Sequence, residues 1–543
     1  MNLPPVRFRQ LLYCLAYISI IIAATPAIIV WWYKLIFWTF ALFLYWVFLF
    51  ICKERSWIFR FSTRTSLAIF IFSLTALSAT RIIPFARFGE APLGYDTGIY
   101  LRSFALYLSD PQEGLRPLAL IIQLLNAIGL SQNTILHGFY VAINILVGLG
   151  VYMLGRAIFR KQLIAVCAFL IFTISISQFE AYHWMFYRMM VSLFLLLVTS
   201  ALILRRSSLA ALTGGFGLAL HPATFLVFAF AYFIYFVAIG VSNFVLHSRQ
   251  GMRLGYLVAM GLSMLMIALL VNFPEIYTEL PTLTEHRLQV GSFSPFLSNE
   301  LTGLYLNFTA FRLSVLSYLP FALLGILLML YENIFLNSRN ILSHQKIFAL
   351  IGLLLSFVLI FLRVIFYQRY LIILDIFIII FAAYALAHFF EYFSVKKSGQ
   401  IFIAIMVAGF CSIIVFYGAT REPWIKPSEL QELKQVSLRI EPDALGMATH
   451  AYYTPWVYGY LAPETIAPGY FIDRWSLTEW NIFWKTNNDE ERVRLLARYD
   501  KRPIYIYIGT RQEPSQRLVI AFLDKNAEKI TEHIWRYQTT PLF

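Results

Sequence analysis

The sequence is dominated by long apolar segments that alternate with short polar ones. Thirteen largely apolar runs mostly reach the length that a tilted helix needs to cross about 30 Å of hydrocarbon. They are residues 11–31, 36–52, 65–83, 134–155, 162–178, 189–204, 208–220, 223–240, 254–272, 312–331, 347–362, 371–390 and 401–419. Hydrophobic residues make up 59% of the 543 residues and charged residues 13%, so lipid must be the solvent. The pattern predicts a polytopic α-helical membrane protein with about 13 transmembrane helices.

The positive charge is concentrated in one alternate set of loops. If the N-terminus is inside, the inner segments are 1–10, 53–64, 156–161, 205–207, 241–253, 332–346 and 394–400. They contain 17 Lys and Arg residues against two acidic ones, whereas the tail from residue 420 contains 16 of each kind. This positive-inside pattern accounts for the net charge of +14 without a nucleic-acid partner. It predicts a multi-pass protein of the cell (plasma or inner) membrane, with a cytoplasmic N-terminus and an extracytoplasmic tail.

Three outer segments are long, and they define the predicted domain organisation. A transmembrane domain of residues 1–419 has outer loops at 84–133 and 273–311, and residues 420–543 form a second domain outside the membrane. Periodicity in the tail predicts helices at Pro427–Arg439 and Ser476–Tyr499 and strands at Ala444–Thr449 and Pro503–Ile508. The tail is therefore predicted to be a small α/β domain.

The first outer loop contains an acidic residue between two glycines. Gly94 and Gly98 allow the backbone to bend around Asp96 and to present its carboxylate near the membrane boundary. A carboxylate there can act as a general base or hold a metal ion beside a phosphate. It can equally cap an interfacial helix at Ile99–Leu108. The sequence leaves both interpretations open.

A short outer turn at residues 179–188 combines aromatic and charged side chains. The aromatic residues are typical of the belt at a membrane interface, which needs no further function. Glu180, His183 and Arg188 are not explained in that way. They predict a site for a metal ion, a phosphate or a sugar.

Further polar residues lie at the outer ends of other predicted spans. His221 either faces a cavity or caps a helix break. Arg363 and Arg369 oppose the topology bias and either bind a lipid phosphate or extend to ordinary headgroups. Glu285 lies in a long outer segment of the kind that forms lids. Asp375, about one turn below Arg369, is predicted to pair with it.

This layout resembles the GT-C superfamily of membrane glycosyltransferases, and in outline the single-subunit oligosaccharyltransferase. Locally, Asp96 followed by Arg102 and Tyr107-Leu108 is similar to the first-loop acid motif of that family, and Thr282-Leu283-Thr284-Glu285 is similar to its T-x-x-E segment. The run Pro455-Trp456-Val457-Tyr458-Gly459-Tyr460, followed by Thr465-Ile466-Ala467, is similar to its W-W-D-Y-G-Y and TIA motifs.

The sequence departs from that pattern at three places. Pro455 replaces the first Trp, Val457 replaces the aspartate that reads the acceptor Ser/Thr, and the acidic motif of the second loop is reduced to Glu180. These departures argue against sequon-dependent N-glycosylation.

The resemblance implies transfer of a sugar or glycan from a polyprenyl-phosphate or polyprenyl-diphosphate donor to a glycan, lipid or protein acceptor outside the membrane. Asp96 would deprotonate or orient the acceptor, directly or through a divalent metal ion shared with Glu180. The expected substrate-binding residues are Arg102, Glu180, His183, Arg188, His221, Glu285, Arg363, Arg369, Trp456 and Tyr458. Two alternatives remain: a transporter or flippase for a lipid-linked glycan, and a non-catalytic membrane assembly protein.

Overall fold

The computed structural model describes residues 63–89, 94, 96–110, 116–246, 255–272, 308–331, 343–362, 369–394, 397–462, 464–468, 470–471, 475–499, 502–512 and 515–538. The predicted spans at 11–31 and 36–52 lie outside the described residues. Glu285 and Arg363 also lie outside them.

Fourteen helices precede the tail within the described ranges. They are α1 (Thr63–Phe88), α2 (Thr97–Ser109), α3 (Pro117–Ala127), α4 (Gln132–Phe159, with a π-helical turn at Ile135–Phe139), α5 (Gln162–Ile174), α6 (Ile176–His183), α7 (Tyr187–Leu204), α8 (Leu209–Leu220), α9 (Pro222–Leu246), α10 (Gly255–Asn272), α11 (Phe308–Tyr331), α12 (His344–Phe361), α13 (Tyr370–Phe393) and α14 (Lys397–Thr420). Seven described helices are long and apolar enough to cross a membrane, or eight if the bent pair α5–α6 is one span. The polytopic helical fold is confirmed, and the full number of 13 stays a prediction.

Helix α13 is the centre of the membrane part. An 18-residue window of its apolar stretch is completely buried, whereas the other crossing helices leave part of their surface outside. A helix that is apolar all round is expected to be surrounded by others. Helix α11 approaches it closely at Gly325, where an added Cβ would lie 2.0 Å from the carbonyl oxygen of Phe381. Small residues permit such close contact between membrane helices.

Helices α5 and α6 meet at a bend of 55°. Ser175 at the bend accepts a hydrogen bond from the backbone N–H of Gln178 at 3.2 Å and donates from its hydroxyl to Asp375 Oδ2 at 3.0 Å. Gln178 Nε2 donates to the same oxygen at 2.8 Å, and the hydroxyl of Tyr318 donates to Oδ1. The predicted pairing of Asp375 with Arg369 is therefore wrong, because Asp375 anchors the bend between α5 and α6.

The tail contains one mixed sheet with helices around it. Its strands are β1 (Leu445–Ala448), β2 (Thr465–Ala467), β3 (Tyr470–Phe471), β4 (Pro503–Tyr507), β5 (Glu528–Lys529) and β6 (Ile534–Gln538), in the order β3-β2-β1-β4-β6-β5. β1 is parallel to β2 and β4, and the remaining pairs are antiparallel. All five residues of β4 are buried, as expected for a central strand covered on both faces. The predicted small α/β domain is confirmed in its fold class.

The helices of the tail are α15 (Pro427–Ser437), α16 (Thr454–Tyr460), α17 (Leu477–Lys485), α18 (Asp489–Leu496) and α19 (Arg517–Asn526). The single helix predicted at 476–499 is wrong, because the chain breaks between α17 and α18. Asn488 caps α18 by accepting the backbone N–H of Glu490 at 2.9 Å, and the hydroxyl of Thr486 donates to Glu491 at 2.6 Å. These two short polar side chains favour a helix end over a continuous helix.

The buried network at the bend leads to a stability prediction. Asp375→Ala leaves three buried donors without their acceptor, so we expect it to lower the free energy of unfolding by at least about 2 kcal/mol. Thermal unfolding of the purified protein in detergent measures the loss. Asp443→Ala, at an exposed aspartate of the tail, is the matched control. Equal unfolding temperatures for the two variants would contradict the role given to Asp375.

Candidate functional site

The loop that carries Asp96 is held against the turn that follows α6. The backbone N–H of Asp96 donates to the carbonyl oxygen of Trp184 at 3.3 Å. Gly94 has φ +70°, and a Cβ there would lie 2.2 Å from Cβ of Met185, which itself has φ +62°. The left-handed conformation is costly for a residue such as Met185, so it marks a position that the surrounding contacts impose. The two outer segments thus form one rigid corner.

Asp96 occupies the N-cap position of α2, but its side chain makes no capping hydrogen bond. The helix-cap interpretation therefore does not explain the carboxylate, which lies within the electrostatic influence of Arg369. Burial raises the pKa of Asp96 to about 7, and the positive charge of Arg369 opposes that rise. A carboxyl group with this pKa can exchange a proton near neutral pH.

His221 caps α9 and faces Arg369 at the same time. Its Nδ1 accepts the backbone N–H of Thr224 at 3.1 Å, with the Thr224 hydroxyl at 2.7 Å. A backbone N–H can only donate, so we assign the imidazole proton to Nε2. Burial, and then Arg369 and Arg188, lower the pKa of His221 to about 3, which keeps the ring neutral. Nε2 lies 3.4 Å from Nη1 of Arg369, so two donors stand side by side.

Arg369 and Arg188 complete a cationic cluster around Asp96. The Arg369 guanidinium lies 5.2 Å from the ring centre of Phe186, which limits its orientation. Arg188 donates from Nε to the carbonyl oxygen of Leu220 at 3.2 Å, and its backbone N–H donates to the hydroxyl of Tyr100 at 3.2 Å. The structure thus brings Asp96, Arg188, His221 and Arg369 together from four separate segments of the chain.

Four helices begin at this cluster. Asp96 precedes α2, Phe186 precedes α7, His221 precedes α9 and Arg369 precedes α13. The N-terminus of a helix carries a partial positive charge and free N–H groups that favour anions. The cluster is therefore suited to an anionic ligand such as a phosphate or a carboxylate, which both match the donors of an arginine.

Glu180 and His183 lie beside this cluster but have other contacts. Glu180 is almost completely buried, and its two oxygens accept from the hydroxyl of Tyr417 at 2.6 Å and from Nη2 of Arg421 at 2.9 Å. His183 is buried between Phe179 and Trp424, with ring centres 6.2 and 5.9 Å away. Both residues join α6 to the start of the tail.

These contacts bear on the divalent metal ion that Asp96 and Glu180 were predicted to share. Both oxygens of Glu180 already accept a hydrogen bond, and the shared metal ion stays a prediction. Among the described residues, one group of three metal-ligating side chains has its ligand atoms within 4.8 Å, namely Glu432, Glu532 and His533. It lies in the tail, where Glu432 accepts from Nδ1 of His533 at 3.0 Å.

Arg102, Trp456 and Tyr458 lie at the contact between α2 and the tail. The Arg102 guanidinium is 5.2 Å from the ring centre of Tyr458, and Trp456 is completely buried. The two helices touch through glycines: a Cβ on Gly459 would lie 2.4 Å from Cα of Gly98. These predicted substrate-binding residues therefore hold the tail against the helix that begins at Asp96.

Sequence analysis missed four residues that shape the site. Tyr100 lies one helical turn after Asp96, and Thr224 lies three residues after His221, so both spacings carried a signal. Phe186 was assigned to the aromatic belt with its neighbours. Arg81 is a fully buried charge within α1, and the rarity of charge in a membrane span could have identified it.

The bundle of crossing helices and the small α/β tail can be compared with a solved structure of the same architecture. The chain is similar to the crystal structure of ArnT from Cupriavidus metallidurans bound to undecaprenyl phosphate, with a TM-score of 0.50 and 10% identity. The match covers 88% of this chain and 99% of that chain. No family model and no curated protein matches the sequence. At this identity the similarity shows the fold alone, and the GT-C resemblance predicted from the sequence is confirmed at that level.

The glycine contact between α2 and α16 gives a testable expectation. Gly459→Ala places a methyl group against Gly98, and such overpacking costs about 1–3 kcal/mol. We expect the backbone amides of α2 and α16 to exchange hydrogen faster, because the added methyl group pushes the two helices apart. Gly409→Ala is the control, because nothing lies within 4 Å of a Cβ at that position of α14. The same exchange rates in both variants would refute the proposed contact.

Proposed function

We propose that this protein is a membrane glycosyltransferase that moves a sugar or glycan from a polyprenyl-phosphate or polyprenyl-diphosphate donor to an acceptor on the outer side of the membrane. One observation carries the proposal. A carboxyl group with a pKa of about 7, Asp96, lies within a cluster of donors from Arg369, His221 and Arg188. This arrangement combines a proton acceptor with a site for a phosphate leaving group.

The proposed reaction requires one bond to form while another breaks. The acceptor hydroxyl oxygen attacks the anomeric carbon, its proton moves to Asp96, and the electron pair of the sugar–phosphate bond leaves on the phosphate oxygen. The two donors that lie side by side, Arg369 Nη1 and His221 Nε2–H, can both bind that oxygen as its charge develops. No step is assigned to a metal ion.

The fold supports the class of donor. The matched ArnT structure contains undecaprenyl phosphate, so a fold of this kind accommodates a polyprenyl phosphate. In the present chain the anion-binding cluster lies where α2, α7, α9 and α13 begin. The charge distribution of the loops supports an outer location for this end of the bundle and for the tail.

The first functional prediction concerns Asp96. We expect Asp96→Asn to reduce transfer on the order of 10²–10⁴-fold, the usual effect of removing a positioned acid–base group. Stability should stay within about 0.5 kcal/mol, because the side chain makes no capping bond. Release of polyprenyl phosphate from a polyprenyl-phosphate sugar in proteoliposomes measures transfer, and thermal unfolding of the same preparation measures stability. Full activity in Asp96→Asn would favour the non-catalytic alternative.

The same residue predicts a pH dependence. A base must be ionised, and Asp96 is protonated below its pKa. The kcat/KM for transfer, which reports the free enzyme, should therefore fall about tenfold per pH unit below pH 7 and level off above it. Arg369 lowers this pKa, so the midpoint should move to higher pH in Arg369→Gln. An unchanged midpoint in that variant would show that the two groups do not interact.

The second functional prediction separates phosphate binding from structure at His221 and Arg369. We expect His221→Asn to keep the helix cap, since asparagine is a favoured N-cap residue, while losing the Nε2–H donor. Donor turnover should fall about tenfold without loss of thermal stability. Arg369→Lys should restore only part of the activity lost in Arg369→Gln, because an ammonium group lacks the bidentate geometry.

The control for these variants is Arg439→Gln, at an exposed arginine of the tail. Like Arg369→Gln it removes one positive charge, but in the tail and outside the cluster, so turnover should stay unchanged. If His221→Asn and Arg439→Gln have equal turnover, the phosphate role of His221 is wrong.

A further inference from the structure

A second cationic site lies at the other end of the helical bundle. A cavity of about 470 Å³ opens between the ends of α4, α7, α9, α10 and α12. Its polar lining includes Arg156, Arg160, Arg205, Arg206 and His344. Neither the resemblance of the sequence nor the proposed reaction gives these residues a role.

Helix α7 separates this cavity from the Asp96 cluster. Arg188 lies at the first turn of α7 and Leu204, which lines the cavity, is its last residue. Its 18 residues rise about 27 Å, close to the thickness of the hydrocarbon core. The loops at the cavity belong to the basic set that the charge distribution assigns to the cytoplasmic side. The cavity therefore lies at the opposite membrane surface from the proposed active site.

The backbone at the cavity is held in an unusual conformation. Arg160 has φ +59° and Arg206 has φ +61°, and together with Met185 they are the non-glycine residues with positive φ in the described chain. Glycine or asparagine normally occupies the left-handed position after a helix. Here an arginine occupies each position despite the steric cost of a positive φ for a residue with a side chain. The long cationic side chain of each arginine lines the cavity.

Arginines dominate the charged lining of the cavity. Among the residues that the structure describes, no aspartate or glutamate lines it. Within the described residues, none of the four arginines forms an ion pair, and Arg156 donates from Nη1 to the hydroxyl of Tyr152 at 3.4 Å. Four like charges around one cavity repel each other unless an anion from outside enters. Arginines at the ends of membrane helices often extend to the lipid headgroups at the surface. That behaviour alone does not explain why four of them surround a cavity between helices.

The apolar part of the lining indicates what kind of anion fits. Ile203, Leu204, Ile239 and Leu257 line the same cavity as the arginines. An anion with an attached hydrocarbon chain can contact the arginines with its charged group and the apolar side chains with its chain. Basic pockets between membrane helices on the cytoplasmic side are known to bind lipid headgroups. We propose that the cavity binds the phosphate headgroup of an anionic phospholipid from the cytoplasmic leaflet, with the arginines on the phosphate oxygens.

The experiment uses the full-length protein in nanodiscs of phosphatidylcholine with or without phosphatidylglycerol. Thermal unfolding and native mass spectrometry report stabilisation and the retained phosphatidylglycerol. We expect phosphatidylglycerol to stabilise the wild-type protein. Arg160→Gln/Arg206→Gln should weaken its retention on the order of tenfold, the effect expected for the loss of charge-assisted hydrogen bonds. Arg160→Gly/Arg206→Gly should show the same loss while folding normally, because glycine suits the positive φ at both positions.

The matched control is Arg64→Gln/Lys397→Gln. It removes two positive charges from the same end of the bundle, at residues outside the lining of the cavity. Normal retention in this control, together with loss in both cavity variants, supports the lipid site. Equal retention in all variants would overturn the proposal, since the attraction would then be a general surface effect. Equal stabilisation of detergent-solubilised protein by soluble glycerol phosphate would also overturn it, because the ligand would then not need an acyl chain.

Discussion

The bend between α5 and α6 is the constraint on which the outer site depends, because a break inside lipid exposes backbone groups that no water can satisfy. An interrupted helix in a membrane is tolerated only where protein groups replace the lost hydrogen bonds. Ser175 does this locally through the N–H of Gln178, and Asp375 holds the side chains of both residues. A buried acid is costly in a membrane, and three donors on one carboxylate are the kind of surroundings that permit it.

The orientation of α6 that results from the bend sets the corner that carries Asp96. On one side, Arg81 donates from Nε to Asn144 at 2.6 Å and lies 4.9 Å from the ring centre of Tyr182 in α6. On another side, Glu180 of α6 pairs with Arg421 at the start of the tail. The helix then ends at the turn whose carbonyl group receives the N–H of Asp96. Asp96 is thus positioned by a turn whose helix, α6, is held in place by contacts with α1 and with the tail.

Much of this architecture could be predicted from the sequence, because lipid and a buried sheet impose strong one-dimensional patterns. The apolar runs predicted the crossing helices, and the run at Pro503–Ile508 predicted the strand that became β4. Partners across the bundle could not be predicted in the same way. Asp375 follows Arg369 by six residues, yet its partners come from the bend between α5 and α6, from α6 and from α11. The face of the helix, and not the distance along the sequence, decides which groups meet. Asp96 shows the same limit, since capping and catalysis use the same residue type at the same helix end.

The electrostatics of the Asp96 cluster follow from combining one acid with several groups that favour anions. Burial disfavours negative charge on Asp96, the charge of Arg369 favours it, and the pKa of about 7 is the balance of the two. The four helix N-termini favour an anionic ligand at the same place. A donor phosphate bound to Arg369 and His221 adds negative charge beside the carboxylate, which raises its affinity for a proton. In the proposed reaction the phosphate gains charge as the glycosidic bond breaks, and Asp96 loses charge as it takes the acceptor proton. The net charge within the cluster therefore stays constant through the step. The arginines and helix N-termini can stabilise the transition state without reorganising.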